Sequence, residues 1–132
     1  MLDAGVNVGL AVDGSASNDS GNLLAEARQA LLTTRARKGA SAMTARETLR
    51  VLTRGGAACL GRDDIGSIQV GKRADVALFA VDGLSYRGAE SDPVAALLFC
   101  NPGPVQHLFV EGRPVVHDGH LVNLSEASMI WA

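Results

Sequence analysis

Aromatic residues are scarce. They make up 4% of the 132 residues, with one Trp, one Tyr and three Phe. Base-stacking platforms and aromatic cages for quaternary cations need more rings than that, so neither is expected here. Charge of one sign is also missing, because 12 basic residues against 14 acidic ones leave a formal net charge of −2. So near-neutral a balance offers no broad basic face for phosphate neutralisation, and nucleic acid is not an expected partner. Cysteine is limited to Cys59 and Cys100, far apart and without motif spacing. That excludes a disulfide framework or zinc knuckle and predicts two reduced, buried thiols acting as small hydrophobes. No apolar run approaches the ~18 residues that span a bilayer. The opening Met1-Leu2-Asp3-Ala4-Gly5 lacks the basic-then-apolar pattern of a secretory signal. No membrane partner is expected, and the chain reads as cytoplasmic.

What the sequence does have is apolar and small: 47% hydrophobic residues and 15 Gly. That is enough to fold, and the length suits one domain rather than two large ones. The first apolar run, Val6 to Val12, is short, Val-rich and stopped by Asp13-Gly14. It predicts a strand buried on both faces, as in a parallel sheet. The polar stretch from Asp13 to Gly21 is then a loop at that strand's C-terminal end. A helix follows over about 22–38, with Leu24, Ala27, Leu31 and Thr34 in helical spacing. Asn18, Asp19 or Ser20 could cap it, and Gly39 stops it behind Arg35, Arg37 and Lys38.

Thr44-Ala-Arg-Glu47 is a capping box, so a second helix starts there. Gly55-Gly56 near its end implies that another backbone packs close. Residues 65–72 read as a strand-to-strand turn, and 75–80 as the strand behind it. Asp92-Pro93 opens a helix over about 92–100, with Asp at the N-cap and Pro at the first position. Residues 106–122 hold Glu111-Gly112 and Asp118-Gly119 between Val-rich runs, which predicts a three-stranded antiparallel meander. Pro114 belongs at an edge or a bulge of it. A lone strand–loop–helix unit cannot make a parallel sheet, so the strand over 6–12 needs partners from elsewhere.

These motifs, in this order, resemble the C-terminal part of the amidohydrolase superfamily. The matching segments are VGLAVDGSASND over 8–19, TARETL over 44–49, and Gly66-x-Ile68-x-x-Gly71-Lys72-x-Ala74-Asp75. Val110-x-Gly112-x-x-Val115 with Gly119 completes the set. Within the superfamily the 8-oxoguanine deaminase and chlorotriazine hydrolase branch is most similar, through the Gly-Ser-Ala-Ser-Asn-Asp run and DPVAALLFC over 92–100.

The resemblance implies an α/β fold: the C-terminal portion of a (β/α)8 metal-dependent hydrolase barrel, plus part of its small β-sandwich. Residues 1–62 would be the last barrel strand with its following helices, and 63–132 the sandwich portion. The barrel's remaining strands are an implied partner, and Met1 is then expected to be an internal position of a longer protein. Active sites in such barrels lie at the C-terminal ends of the strands, where Asp13 falls. Asp13 is thereby implied as metal ligand and catalytic residue, with Ser17 and Asn18 as substrate contacts. The cofactor implied is one divalent zinc or iron ion, shared with histidines and a glutamate from other strands. The substrate would be a purine-like or triazine-like ring whose C–N bond is hydrolysed.

Other residues carry weaker readings. His117 and His120 flank a two-residue turn and could share a metal. Ser15 and Asp19 belong to the same loop as Ser17. A reading of another class also follows: a non-catalytic interaction module that forms a homo-oligomer through the unpaired strand over 6–12.

Overall fold

The computed structural model describes residues 1–14, 16–18, 20–100 and 103–124. Ser15 and Asp19 of the polar loop, and Asn101 and Pro102 after the 92–100 helix, lie outside the described residues.

The first helix, α1, spans Leu23–Lys38. Its cap is Asn22, whose side chain accepts from the amides of Leu24 and Ala25, and not Asn18 or Ser20; Asp19, the other candidate, lies outside the described residues. Asn22 wins because it alone has extended backbone immediately before the first helical residue, the geometry an N-cap needs. Ala27 and Leu31 of the predicted stripe are fully buried. At the other end Arg35 does more than complement the dipole. Its Nε donates to the Met43 carbonyl at 2.8 Å, and its guanidinium lies 5.7 Å from the centre of the Phe99 ring. Lys38 pairs with Asp3 at 2.9 Å, and that ammonium holds the Asp3 carboxyl below its usual range.

The capping box is formed as read. The Glu47 amide donates to Thr44 Oγ1, and Glu47 Oε2 accepts from the Thr44 amide at 2.7 Å and its hydroxyl at 2.8 Å. These bonds start α2, Ala45–Arg50, which runs through a π-helical turn, Val51–Gly55, into α3, Gly56–Cys59. Gly61, in the left-handed region at φ 66°, closes the run. The helix over 92–100 is α4, Pro93–Phe99, with Asp92 Oδ1 accepting from the amides of Val94 and Ala95. The core joins these helices through Ala27, Leu31, Met43, Ala45, Val51 and Leu98.

The sheet is larger than the predicted meander. Strands β1 (Val76–Leu78), β2 (His107–Val110), β3 (Arg113–His117) and β4 (His120–Leu121) pair in sequence order, all antiparallel. Both turns are of the kind their dipeptides predict, with positive φ at Glu111 (52°), Gly112 (75°), Asp118 (51°) and Gly119 (79°). Pro114 takes the bulge alternative: β3 is flanked on both sides, and the register slips between Leu108 and Phe109, opposite Val116 and Pro114. The Gly-Lys-x-Ala-Asp motif explains how β1 docks. Asp75 Oδ1 accepts the Glu111 amide at 2.8 Å, and the Ala74 carbonyl accepts the Gly112 amide at 2.9 Å. Arg73 pairs with Glu111, and Arg62 forks onto Asp64 at 2.8 and 2.6 Å. That fork holds the Asp64 carboxyl below, and the Arg62 guanidinium above, their usual ranges.

Three local expectations need correction. Residues 6–12 belong to no strand, because no ladder among the described residues is available for them. Residues 65–72 form a loop between α3 and β1, not a turn between two strands. Cys59 is exposed rather than buried, at the last residue of α3; Cys100 is half-buried. Among the described residues no helix is long and apolar enough to cross a membrane.

Candidate functional site

The extended segment leading to Asp13 is held by packing rather than by a ladder. Val8 and Leu10 lie against the helical core. Gly9 stands so close to Gly56 that a Cβ on it would come within 3.0 Å of the Gly56 α-carbon. A Cβ on Gly55 would fall on the Val8 carbonyl. The close approach implied by the glycine pair is therefore that of the segment carrying Asp13.

At the end of this segment Asp13 sits in the left-handed region, φ 64°, with its side chain exposed. Asp tolerates this region better than most residues, yet it is uncommon outside glycine and carries a conformational cost. An Asp before a helix would ordinarily cap it or bind a turn amide. Asp13 does neither. The cap is Asn22, and the turn behind it is closed by the Gly14 carbonyl, which accepts the Ser17 amide at 2.9 Å and the Asn18 amide at 3.0 Å. Among the described residues the Asp13 carboxylate makes no hydrogen bond.

Ser17 is exposed on that turn. Asn18 is half-buried and committed on both ends of its carboxamide. Its Nδ2 donates to Glu26 Oε1 at 2.6 Å, and its Oδ1 accepts from the Ser20 amide at 3.1 Å and hydroxyl at 2.9 Å. The Asn18–Glu26 bond ties the loop to α1. Nothing in the sequence pattern marks Glu26 as that partner, since the two are eight residues apart. A cleft of about 800 Å³ is lined by residues including Met1, Val8, Arg37, Met43 and Arg50, and Asp13 is not among its lining residues.

A catalytic zinc site takes about three protein ligands. Asp13 offers one carboxylate, exposed and without a hydrogen bond among the described residues, which suits a single ligand position. No group of three donors among the described residues contains it. The donors that do cluster are His107, His117 and Asp118 at the far end of the β2–β3 hairpin. The sequence reading paired His117 with His120. They are backbone partners, but the imidazole meeting His117 is that of His107, at 4.9 Å between ring centres.

Comparison with known proteins follows the same lines. The amidohydrolase family model matches residues 1–115, and the chain belongs to that family. The chain is 46% identical over 127 residues to an 8-oxoguanine deaminase of Pseudomonas aeruginosa, covering 96% of this chain and 28% of that protein. A hydroxydechloroatrazine ethylaminohydrolase of a Pseudomonas species is 39% identical over 142 residues, covering all of this chain and 28% of its own length. Among solved structures, the zinc complex of an atrazine chlorohydrolase from Arthrobacter aurescens matches with TM-score 0.89 and 37% identity, over 98% of this chain and 29% of that one. An adenosine deaminase from Xanthomonas campestris with bound zinc matches with TM-score 0.88 and 32% identity, over 98% of this chain and 30% of that one. The chain thus spans less than a third of the length of these relatives.

Proposed function

We propose that this chain is the C-terminal part of a metal-dependent hydrolase that deaminates a purine-like ring, 8-oxoguanine before others, with triazine-like rings as the related class. The observation that carries this reading is Asp13: a carboxylate in a costly backbone conformation, exposed at the end of a packed segment, and engaged in no local bond among the described residues. The relatives' names supply the ring class, and 46% identity puts 8-oxoguanine first. In this reading residues 1–62 contribute the last strand and following helices of a barrel wall, and 63–132 part of the adjoining sandwich.

A bound zinc or iron ion would supply a Lewis acid that lowers the pKa of a water toward neutrality. Asp13 would give one oxygen to that ion. Its other oxygen would hold the water's proton and hand it to the leaving nitrogen, a single group acting as base and then as acid. Ser17, exposed on the adjoining turn, is the side chain best placed to meet the ring; Asn18 stands beside it on the rim. The remaining ligands would come from strands outside this chain. Two free cysteines and a near-neutral surface suit a reducing, cytoplasmic setting.

The experiment is a spliced enzyme. Residues 1–132 replace the corresponding segment of the Pseudomonas aeruginosa relative, and zinc content and ammonia release from 8-oxoguanine are measured. The expected result is a zinc-loaded, active protein in which Asp13→Asn abolishes activity and lowers zinc content. A spliced protein that folds and holds zinc but works equally well with Asp13→Asn would overturn the reading.

A second reading is favoured by residues 6–12, an apolar stretch with no strand partner among the described residues, with Val6 47% exposed. An unpaired apolar edge drives association. If the chain is a self-associating module, sedimentation shows a stable dimer that Val6→Lys dissolves.

A further inference from the structure

We propose that His107, His117 and Asp118 form a second divalent-metal site, remote in sequence from Asp13, for zinc or another imidazole-preferring ion. This inference does not rest on the function proposed above.

The site is built by the hairpin. Leu108 pairs with Val116, and one step further out His107 of β2 meets His117 of β3. Their rings stand edge to face at 68°. Asp118 then enters the left-handed region and turns its carboxylate back toward both rings. Its Oδ2 is 3.2 Å from His117 Nδ1, and its Oδ1 is 3.6 Å from His107 Nε2. The three donor atoms all lie within 4.8 Å of one another. Donors at about 2.0–2.1 Å in a tetrahedron around zinc are about 3.3 Å apart, close to the 3.2 Å between His117 Nδ1 and Asp118 Oδ2, while His107 Nε2 faces the other carboxylate oxygen and closes the set by a small side-chain adjustment.

The tip is held in this shape by backbone bonds. The Gly119 amide donates to the Gln106 carbonyl at 2.9 Å, and the Gln106 side chain donates to Asp118 Oδ1 at 3.4 Å. The Asp118 amide donates to His107 Nδ1 at 3.4 Å. Ligation through His107 Nε2 moves the ring proton to Nδ1, so metal entry gives up that long bond and replaces the two imidazole–Asp118 contacts with bonds to the ion. The side chains of His117 and Asp118 are 64% and 65% exposed, which leaves the ion an entry path. Two imidazoles and one carboxylate favour zinc, nickel or copper over magnesium or calcium, which prefer all-oxygen shells. Three protein ligands leave a fourth position for water or a ligand from another molecule.

The test uses the 132-residue chain, stripped with chelator and titrated with zinc chloride. Calorimetry gives stoichiometry and affinity, and the imidazole proton resonances identify the ligands. One zinc per chain is expected, shifting the His107 and His117 resonances together and raising the midpoint of thermal unfolding. His117→Gln and Asp118→Asn should each weaken binding by about 10–100-fold. Both positions are exposed, and circular dichroism checks that each variant keeps its fold. His120→Gln should bind zinc as the parent does. The proposal is overturned if the His107 and His117 resonances stay unmoved at tenfold excess zinc. It is equally overturned if binding survives both His117→Gln and Asp118→Asn, or if His120→Gln loses it as fully as they do.

Discussion

The carbonyl of Val8 occupies the space beside Gly55 that a side chain on that helix would need. This one relationship fixes where the Asp13-bearing segment lies, because an extended chain with no ladder can be positioned only by what it packs on. The π-helical turn over Val51–Gly55 contributes to it, ending at the glycine where the segment crosses. Single π turns inside α-helices often mark functional sites, and here the turn supports the backbone that leads to the candidate ligand.

The two adjacent glycines should therefore respond oppositely to alanine. At Gly55 a Cβ meets the Val8 carbonyl, while at Gly56 it meets open space. Gly55→Ala is expected to destabilise by about 1–3 kcal/mol through overpacking. Gly56→Ala is expected to stabilise by about 0.5–1 kcal/mol, since a helical glycine loses more conformational freedom on folding than alanine does. Urea unfolding of the two variants measures both. Equal effects would mean that the segment does not rest on the helix at Gly55.

The capping box should give α2 a pH dependence of known sign. The Thr44 backbone amide first, and the Thr44 hydroxyl second, hold the Glu47 carboxyl below its ordinary value of 4.5. A carboxyl depressed in the folded state contributes stability above its unfolded pKa and loses it as pH falls through the folded one. Between neutrality and about pH 5 the contribution is thus constant, and below 4.5 it drains away. Asp3 and Asp64 are depressed by their own cations and add loss in the same direction. Comparing the thermal midpoint of the parent with that of Glu47→Gln from pH 7 to 2 isolates the Glu47 share. The gap between the two should narrow as the solution is acidified, and a gap that widens contradicts the assignment.

Much of this architecture is legible in the sequence wherever a local rule decides it. Thr44 and Glu47 are three residues apart and can satisfy each other without help from the rest of the chain. Asp92-Pro93 and the two X-Gly turns are likewise local, and each forms as read. The failures fall where a distant partner decides. The stretch over 6–12 has the composition of a buried strand, but composition cannot supply the strands beside it. Cys59 follows the usual preference for burial only where something covers it. The His107–His117–Asp118 cluster was half visible. The sequence marks only His117 of the three, paired with His120, and the grouping depends on the bulge at Pro114, which shifts the register across β2 and β3. Of the candidate site, the position of Asp13 at the end of an apolar run was legible. Its freedom from capping was not, because that turns on Asn22 taking the role instead.

The division of labour within the polar loop gives a last test. Asn18 bonds Glu26 at 2.6 Å in a half-buried setting, whereas Asp13 bonds nothing among the described residues. A hydrogen bond to a charged group is worth about 1.5–3 kcal/mol, so Asn18→Ala and Glu26→Ala should each destabilise measurably. Their double variant should fall short of the sum by about 1 kcal/mol, the mark of residues that act on each other. Asp13→Asn should leave stability within about 0.5 kcal/mol of the parent, because the change is exposed, keeps a side chain that tolerates the left-handed region, and breaks no bond. Unfolding measurements on these four variants separate a residue that builds the loop from one that the loop presents. If Asp13→Asn destabilises as strongly as Asn18→Ala, the carboxylate is serving the fold, and its claim to a ligand position weakens accordingly.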